Sequence, residues 1–232
     1  MLVSELYDLF RSDLDDAAQP YLWTDAEVYL YMNDAYKQFV KRIGGISDET
    51  SALTLVDVVP GQSYAEISPL ILKFELATLV SNQDPLKIVN KQDMNNIVYA
   101  DYGITRAVSS NSQGRVTHVV VGIERTSRAG KVKWVQQPIV ADTVQFAVKR
   151  LPLDDITDSM QDFDFYEIQE HHHQHLLAWM KHRAYGKQDA ESFDKANRDG
   201  YRQEFIGYCE EAMEEAARYT SKPTRVVAYG GI

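Results

Sequence analysis

The residues best suited to chemistry are four histidines within positions 171–175. Histidine binds transition metals and transfers protons near neutral pH. His171 and His175 are four residues apart and would share one face of an α-helix, and Glu167 stands four residues earlier. This set allows a His-based metal hydrolase as one alternative. However, no general-base glutamate stands between the two histidines and no third ligand follows at a suitable spacing. We therefore favour a solvent-exposed helix face that binds no metal, with His172 turned to the core.

The remaining sequence offers little else for catalysis. It contains no serine in a G-x-S-x-G context, no P-loop and no G-x-G-x-x-G motif. Cys209 is the single cysteine and lies in the middle of an expected helix, where a packed thiol is more common than a reactive one. We therefore expect no catalytic residues, no metal and no cofactor.

A second alternative is a nucleic-acid-binding module built on basic strand residues. The candidates are Lys131, Lys133, Lys149 and Arg150, with Arg125 and Arg128 nearby and Trp134 among them as a stacking side chain. A solvated outer face of a sheet explains the same pattern, and we favour it. The formal net charge of −10 also argues against a surface that grips phosphates throughout.

The chain has 232 residues, enough for one large domain or for a core with an insertion. One cysteine excludes an internal disulfide framework and fits a reducing compartment. The N-terminal residues do not form a signal peptide, and no apolar run is long enough to span a membrane. The sequence predicts a soluble protein made in the cytoplasm.

The best-specified element is a helix that begins near Thr24. Thr24 and Glu27 have the spacing of a capping box, and Trp23 and Val28 that of a hydrophobic staple. Apolar residues then recur at helical steps as far as Ile43. A second helical region follows much later in the chain. The side chains expected to form the structural core are Trp23, Thr24, Glu27, His172, Leu176 and Trp179.

Between these helical regions, alternating apolar and polar residues predict about six antiparallel strands. The predicted fold class is α+β, with a helical bundle core, an inserted antiparallel β module and an extended C-terminal tail. The predicted domains are residues 1–50, the first helical part; 51–158, the β module; 159–220, the second helical part, packed with 1–50; and 221–232, the C-terminal tail.

Several motifs resemble the bacteriophage head–tail connectors known as phage adaptor proteins. YLWTDAEVYLYMNDAY at 21–36 is similar to the family's W-[ST]-D-x-E-[LI]-x-x-[YL]-x-N-x-A, and PGQSY at 60–64 to its G-x-x-x-Y turn. RLPL at 150–153 closes the β module. EIQEHHHQHLLAW at 167–179 is similar to E-I-P-x-x-[YH]-H-x-x-L-x-x-[WY], with Gln169 where proline is usual. Together with FDKA at 193–196 and Phe205, the motifs run in order from Ser4 to Phe205.

The resemblance implies a structural virion protein of the neck that is not an enzyme and is assembled in the host cytoplasm. Such proteins form a ring, commonly of twelve copies, beneath the portal, join it to the tail and let double-stranded DNA pass. An exposed apolar β-type segment at a terminus can add to a partner's sheet edge or groove. The C-terminal tail therefore supplies candidate portal-binding or ring-binding residues: Arg225, Val226, Val227, Tyr229 and Ile232. The alternative is a disordered tail.

Overall fold

The computed structural model describes residues 1–91, 98–101, 104–107, 112–122, 130–188 and 193–220. These residues belong to two compact units. Unit 1 comprises residues from Met1–Gly44 and from Asp154 onward, and unit 2 comprises residues from Gly45–Leu153. Among the described residues, no helix is long and apolar enough to cross a bilayer.

Unit 1 contains the helices. Their bounds are α1 Val3–Asp13, α2 Asp25–Arg42, α3 Leu176–Tyr185 and α4 Lys195–Thr220, and a 3₁₀ helix, Glu170–His175, directly precedes α3. The other three helices all contact α3. The buried side chains at the centre of the unit come from every helix and include Phe10, Met32, Phe39, Met180 and Phe205.

The prediction of a helical bundle core is wrong. A bundle needs helices of similar length side by side over several turns, but α3 has only 10 residues, about 15 Å of helix. It cannot line the 26-residue α4 along its length. The irregular segment before the 3₁₀ helix also contributes buried apolar side chains, Ile156 and Phe165. The structure is mixed α+β, with four helices and several sheets among the described residues.

Unit 2 contains the strands. They are β1 Ile46–Asp48, β2 Leu55–Val58, β3 Tyr64–Ile67, β4 Ile71–Leu79, β5 Lys87–Asn90, β6 Val98–Asp101, β7 Ile104–Ala107, β8 Gln113–Gly114, β9 His118–Val121, β10 Gly130–Trp134, β11 Gln137–Pro138 and β12 Asp142–Arg150. In the first sheet, β12 pairs with β4 along one edge and with β2 and then β1 along the other, always antiparallel.

The second sheet has the order β3-β10-β9-β5. Its β5–β9 pair is parallel, and so is the small β8–β11 pair. The prediction of a purely antiparallel β module is therefore wrong. The strands β6 and β7 form an antiparallel pair. The first two sheets share one apolar core, to which alternate residues such as Phe146 of β12 and Trp134 of β10 contribute. Alternation of apolar and polar residues shows which face of a strand is buried, but it does not reveal whether neighbouring strands run parallel or antiparallel.

The division into four domains stays a prediction, because compactness does not test whether each part folds by itself. The predicted C-terminal tail, residues 221–232, lies outside the described residues.

Candidate functional site

The histidine run lies within the 3₁₀ helix, directly before α3. A 3₁₀ helix has three residues per turn, so His171 and His175 do not share a face as they would on an α-helix. The ring of His175 stacks on Tyr208 of α4, with centroids 4.1 Å apart and planes 6° apart. Glu167 accepts a hydrogen bond from the Tyr36 hydroxyl at 3.2 Å. The alternative zinc set of His171, His175 and Glu167 is therefore not brought together.

The structure instead brings two adjacent histidines to one carboxylate of α4. The Nε2 atom of His171 lies 2.9 Å from Glu215 Oε2, and that of His172 lies 3.5 Å from the same oxygen. The two imidazole rings have centroids 4.0 Å apart. Within the described part of the chain, this is the one group of three His, Cys, Asp or Glu donors close enough to hold a metal ion.

Burial controls the charge of this cluster. Desolvation lowers the pKa of His172 below its usual value, and the neighbouring His171 lowers it further. Burial likewise lowers the pKa of His175. The hydrogen bond from His171 lowers the pKa of Glu215. Near neutral pH, the Glu215 carboxylate thus faces a neutral imidazole at His172.

Sequence reasoning missed Glu215, which lies 44 residues from His171. Three glutamates occur within residues 211–215, and their spacing gives no reason to prefer one as a partner. Only the packing of α4 against the 3₁₀ helix selects Glu215.

Three of the residues expected in the core, Trp23, Thr24 and Glu27, lie at the start of α2. Trp23 is 2% exposed and its indole Nε1 donates to the Ala184 carbonyl at 3.2 Å. The capping box is confirmed: the Thr24 hydroxyl accepts from the Glu27 amide, and the Glu27 carboxylate accepts from the Thr24 amide at 2.8 Å. Lys187 also pairs with Glu27 at 2.9 Å. The end of α3 and the residues that follow it thus hold the first turn of α2.

A buried arginine supports the same turn. Arg11 of α1 forms an ion pair with Asp16, in which both side chains are 5% exposed. It also donates to the Trp23 carbonyl at 2.6 Å and to Asp25 at 2.7 Å. Because an unpaired buried charge is costly, these contacts fix the loop between α1 and α2.

The other expected core residues lie around α3. Leu176 is fully buried, and His172 and Trp179 are 7% and 8% exposed. The Trp179 indole donates to Asp34 of α2 at 2.8 Å. The ring of His172 packs against Phe39, with centroids 5.5 Å apart. These contacts join α2 to α3 through side chains that combine apolar surface with one polar atom.

The described members of the basic strand set do not come together as a site for nucleic acid. Trp134 is 0% exposed, so its indole cannot stack on a base. Arg150 is buried and pairs with Asp48, while Lys131 and Lys149 belong to different sheets. Lys133 lies over the ring of Tyr64, 5.6 Å from its centroid. Arg125 and Arg128 lie outside the described residues.

Cys209 is 2% exposed, and burial raises the pKa of its thiol to about 12. Such a thiol is a poor nucleophile because only the thiolate reacts. The candidate partner-binding residues Arg225, Val226, Val227, Tyr229 and Ile232 lie outside the described residues.

A family model described as SU10 adaptor protein matches residues 1–227. The chain belongs to this family of structural phage adaptor proteins, and the resemblance found in the sequence motifs is confirmed. Comparison with curated proteins gave no match.

Proposed function

We propose that this protein is a head-to-tail adaptor that forms a ring, of twelve copies, beneath the portal. The ring joins the portal to the tail and lets double-stranded DNA pass through its centre without specific binding. The observation that carries the proposal is the family match over residues 1–227, which covers both compact units. The protein would be a virion component of the neck, assembled in the host cytoplasm and without enzymatic activity.

The charge of the chain supports passage of DNA. The formal net charge of −10 comes from 34 acidic and 24 basic residues. Like charges on a channel wall and on the phosphates repel, so the nucleic acid slides instead of binding. Lys131 and Lys133, which could attract phosphates, lie beside Glu66 and the Tyr64 ring.

Exposed apolar side chains support binding to protein neighbours. In unit 2, Leu55 and Leu76 lie on the two strands that flank β12 and are 49% and 65% exposed. Ile139 and Val140, in the turn before β12, are 58% and 69% exposed. Leu55 and Leu76 lie opposite Gln145 and Ala147 of β12, which are two residues apart and so share one face of the sheet. Exposed apolar patches mark contacts with other proteins. In a ring, a neighbouring copy or the tail protein would cover them.

The domains have separate tasks in this proposal. Residues 1–50 and 159–220 form the body of the ring, and residues 51–158 face outward or towards the tail. The C-terminal tail, residues 221–232, docks on the portal or on the neighbouring ring as an added strand, with Arg225, Val226, Val227, Tyr229 and Ile232 as its contacts.

The test is the molar mass in solution, measured by light scattering on a sizing column, alone and after mixing with the portal. We expect a monomer of 26.5 kDa that joins a large ring complex only with the portal. A molar mass that stays unchanged after mixing with the portal would contradict the proposal. Deletion of residues 222–232 tests the tail separately: the truncated chain should keep its unfolding transition and lose portal binding. Unchanged binding would exclude this role for the tail.

A further inference from the structure

The donor atoms of His171, His172 and Glu215 have the spacing of metal ligands. All three lie within 4.8 Å of one another. In a tetrahedral zinc site with bonds of about 2.0–2.1 Å, neighbouring donor atoms are about 3.3 Å apart. The two histidine nitrogens lie 2.9 and 3.5 Å from the carboxylate oxygen, on either side of that value. The three donor atoms thus lie near the spacing that one shared ion requires.

Packing already holds one of these ligands, His172, in place. His172 is 7% exposed, and its ring lies against Phe39 and against His175, with centroids 5.5 and 5.4 Å away. Its Nδ1 atom is buried and has no hydrogen-bond partner among the described residues. The contact from its Nε2 to Glu215, at 3.5 Å, is long for a hydrogen bond. A metal bond at Nε2 would replace this long contact with a strong polar interaction.

The outer side of the cluster is open to solvent. The side chains of His171 and Glu215 are 55% and 33% exposed. A fourth ligand could therefore be water, which gives two imidazoles, one carboxylate and one water around the ion. Nitrogen and oxygen donors of this kind suit Zn²⁺ better than Ca²⁺ or Mg²⁺, which prefer oxygen alone.

We propose that His171, His172 and Glu215 form a zinc site that cross-links the 3₁₀ helix to α4. The last buried residue of α4 is Ala212, and Glu215 is the half-buried residue that follows it. A bound ion would therefore hold the final turns of α4, where apolar packing against the rest of unit 1 has ended. The role is structural and independent of ring formation.

The test is a calorimetric titration of Zn²⁺ into the full-length chain, purified without a histidine tag and treated with a chelator. We expect one ion per chain. Glu215→Gln keeps the size of the side chain but removes the anionic ligand, and His171→Asn removes an exposed ligand without opening the core. Each should weaken zinc binding by roughly 10- to 100-fold or more.

Two matched variants serve as controls. Glu214→Gln changes an exposed neighbouring glutamate whose side chain points to Arg218, and His118→Gln changes a histidine of unit 2. Both should bind zinc like the parent chain. Zinc should also raise the melting temperature of the parent and of the controls, but not of Glu215→Gln. The absence of saturable binding, or equal binding by Glu215→Gln and the parent, would overturn the proposal.

Discussion

Arg150 on β12 and Asp48 on β1 form a buried ion pair within unit 2. The guanidinium Nε donates to Asp48 Oδ2, and the two side chains are 7% and 4% exposed. The backbone amides of Thr50 and Ser51 donate to the other carboxylate oxygen, each at 3.0 Å. The carboxylate thus joins the end of β12 to the turn after β1, and neither charge can be removed alone without leaving the other buried.

Replacing Asp48 by asparagine should strongly destabilise unit 2. The variant leaves the Arg150 charge buried without a counter-ion, which costs about 3–5 kcal/mol. The measurement is the free energy of unfolding in urea. The control is Glu66→Gln, because Glu66 is exposed and lies 4.0 Å from Lys131. That surface pair should contribute about 0–1 kcal/mol. If the two variants lost the same free energy of unfolding, the buried Asp48–Arg150 pair would contribute no more to stability than the surface pair.

The same pair predicts a dependence of stability on acid. Burial alone would raise the pKa of Asp48, but hydrogen bonds from Ser51 and Arg150 outweigh it and hold the pKa well below the usual 3.8. The folded state thus binds this proton more weakly than the unfolded chain. The stabilisation is present above the usual pKa and is lost as the pH falls towards the folded pKa. The difference in unfolding free energy between the parent and Asp48→Asn should therefore stay constant from about pH 7 to about pH 5 and shrink below about pH 4. A difference that fails to shrink in acid would contradict this assignment.

Removing the hydroxyl of Thr24 should weaken the start of α2. Thr24→Ala leaves a first-turn amide of α2 without its side-chain acceptor, at a cost of about 1 kcal/mol. Thr24→Ser keeps the hydroxyl and should stay close to the parent. Urea unfolding of the three proteins provides the comparison. If serine were as damaging as alanine, the lost methyl group rather than the cap would be responsible.

Cys209 should be unreactive in the folded protein. Burial raises its pKa to about 12, so at neutral pH almost no thiolate is present, and the side chain is 2% exposed. We expect alkylation by iodoacetamide to be roughly 100-fold slower than that of a free cysteine, and to become fast in urea. The measurement is the labelled fraction over time by mass spectrometry. Equal rates with and without urea would show that α4 opens readily at this position.

The protein should not bind to immobilised double-stranded DNA. Its net charge is −10, Trp134 is fully buried and Arg150 is paired. At about 0.15 M salt we expect the protein in the flow-through of a DNA column. Retention that falls steeply as salt rises would instead favour the nucleic-acid-binding alternative, with its contacts on residues such as Lys131 and Lys133.

The features that could be predicted correctly from the sequence are those that depend on residues close together in the chain or on the order of motifs along it. The capping box of Thr24 and Glu27 depends on residues three apart, and its geometry follows from helix formation alone. The order of the family motifs, likewise, can be compared along the chain without any folded coordinates. The helical bundle core was wrong because apolar periodicity shows which face of a helix is buried, but not against which partner or over what length.

The sequence by itself determined the family, the start of α2 and the alternation that turns Phe146 and Trp134 inward. Tertiary structure alone decided that Arg150 meets Asp48 across 102 residues, and that His171 and His172 meet Glu215 and not Glu167. It also decided that β5 and β9 run parallel. The physical reason is that hydrogen bonds, capping and periodicity act over a few residues, whereas these pairs depend on how separate elements pack once the apolar core has formed.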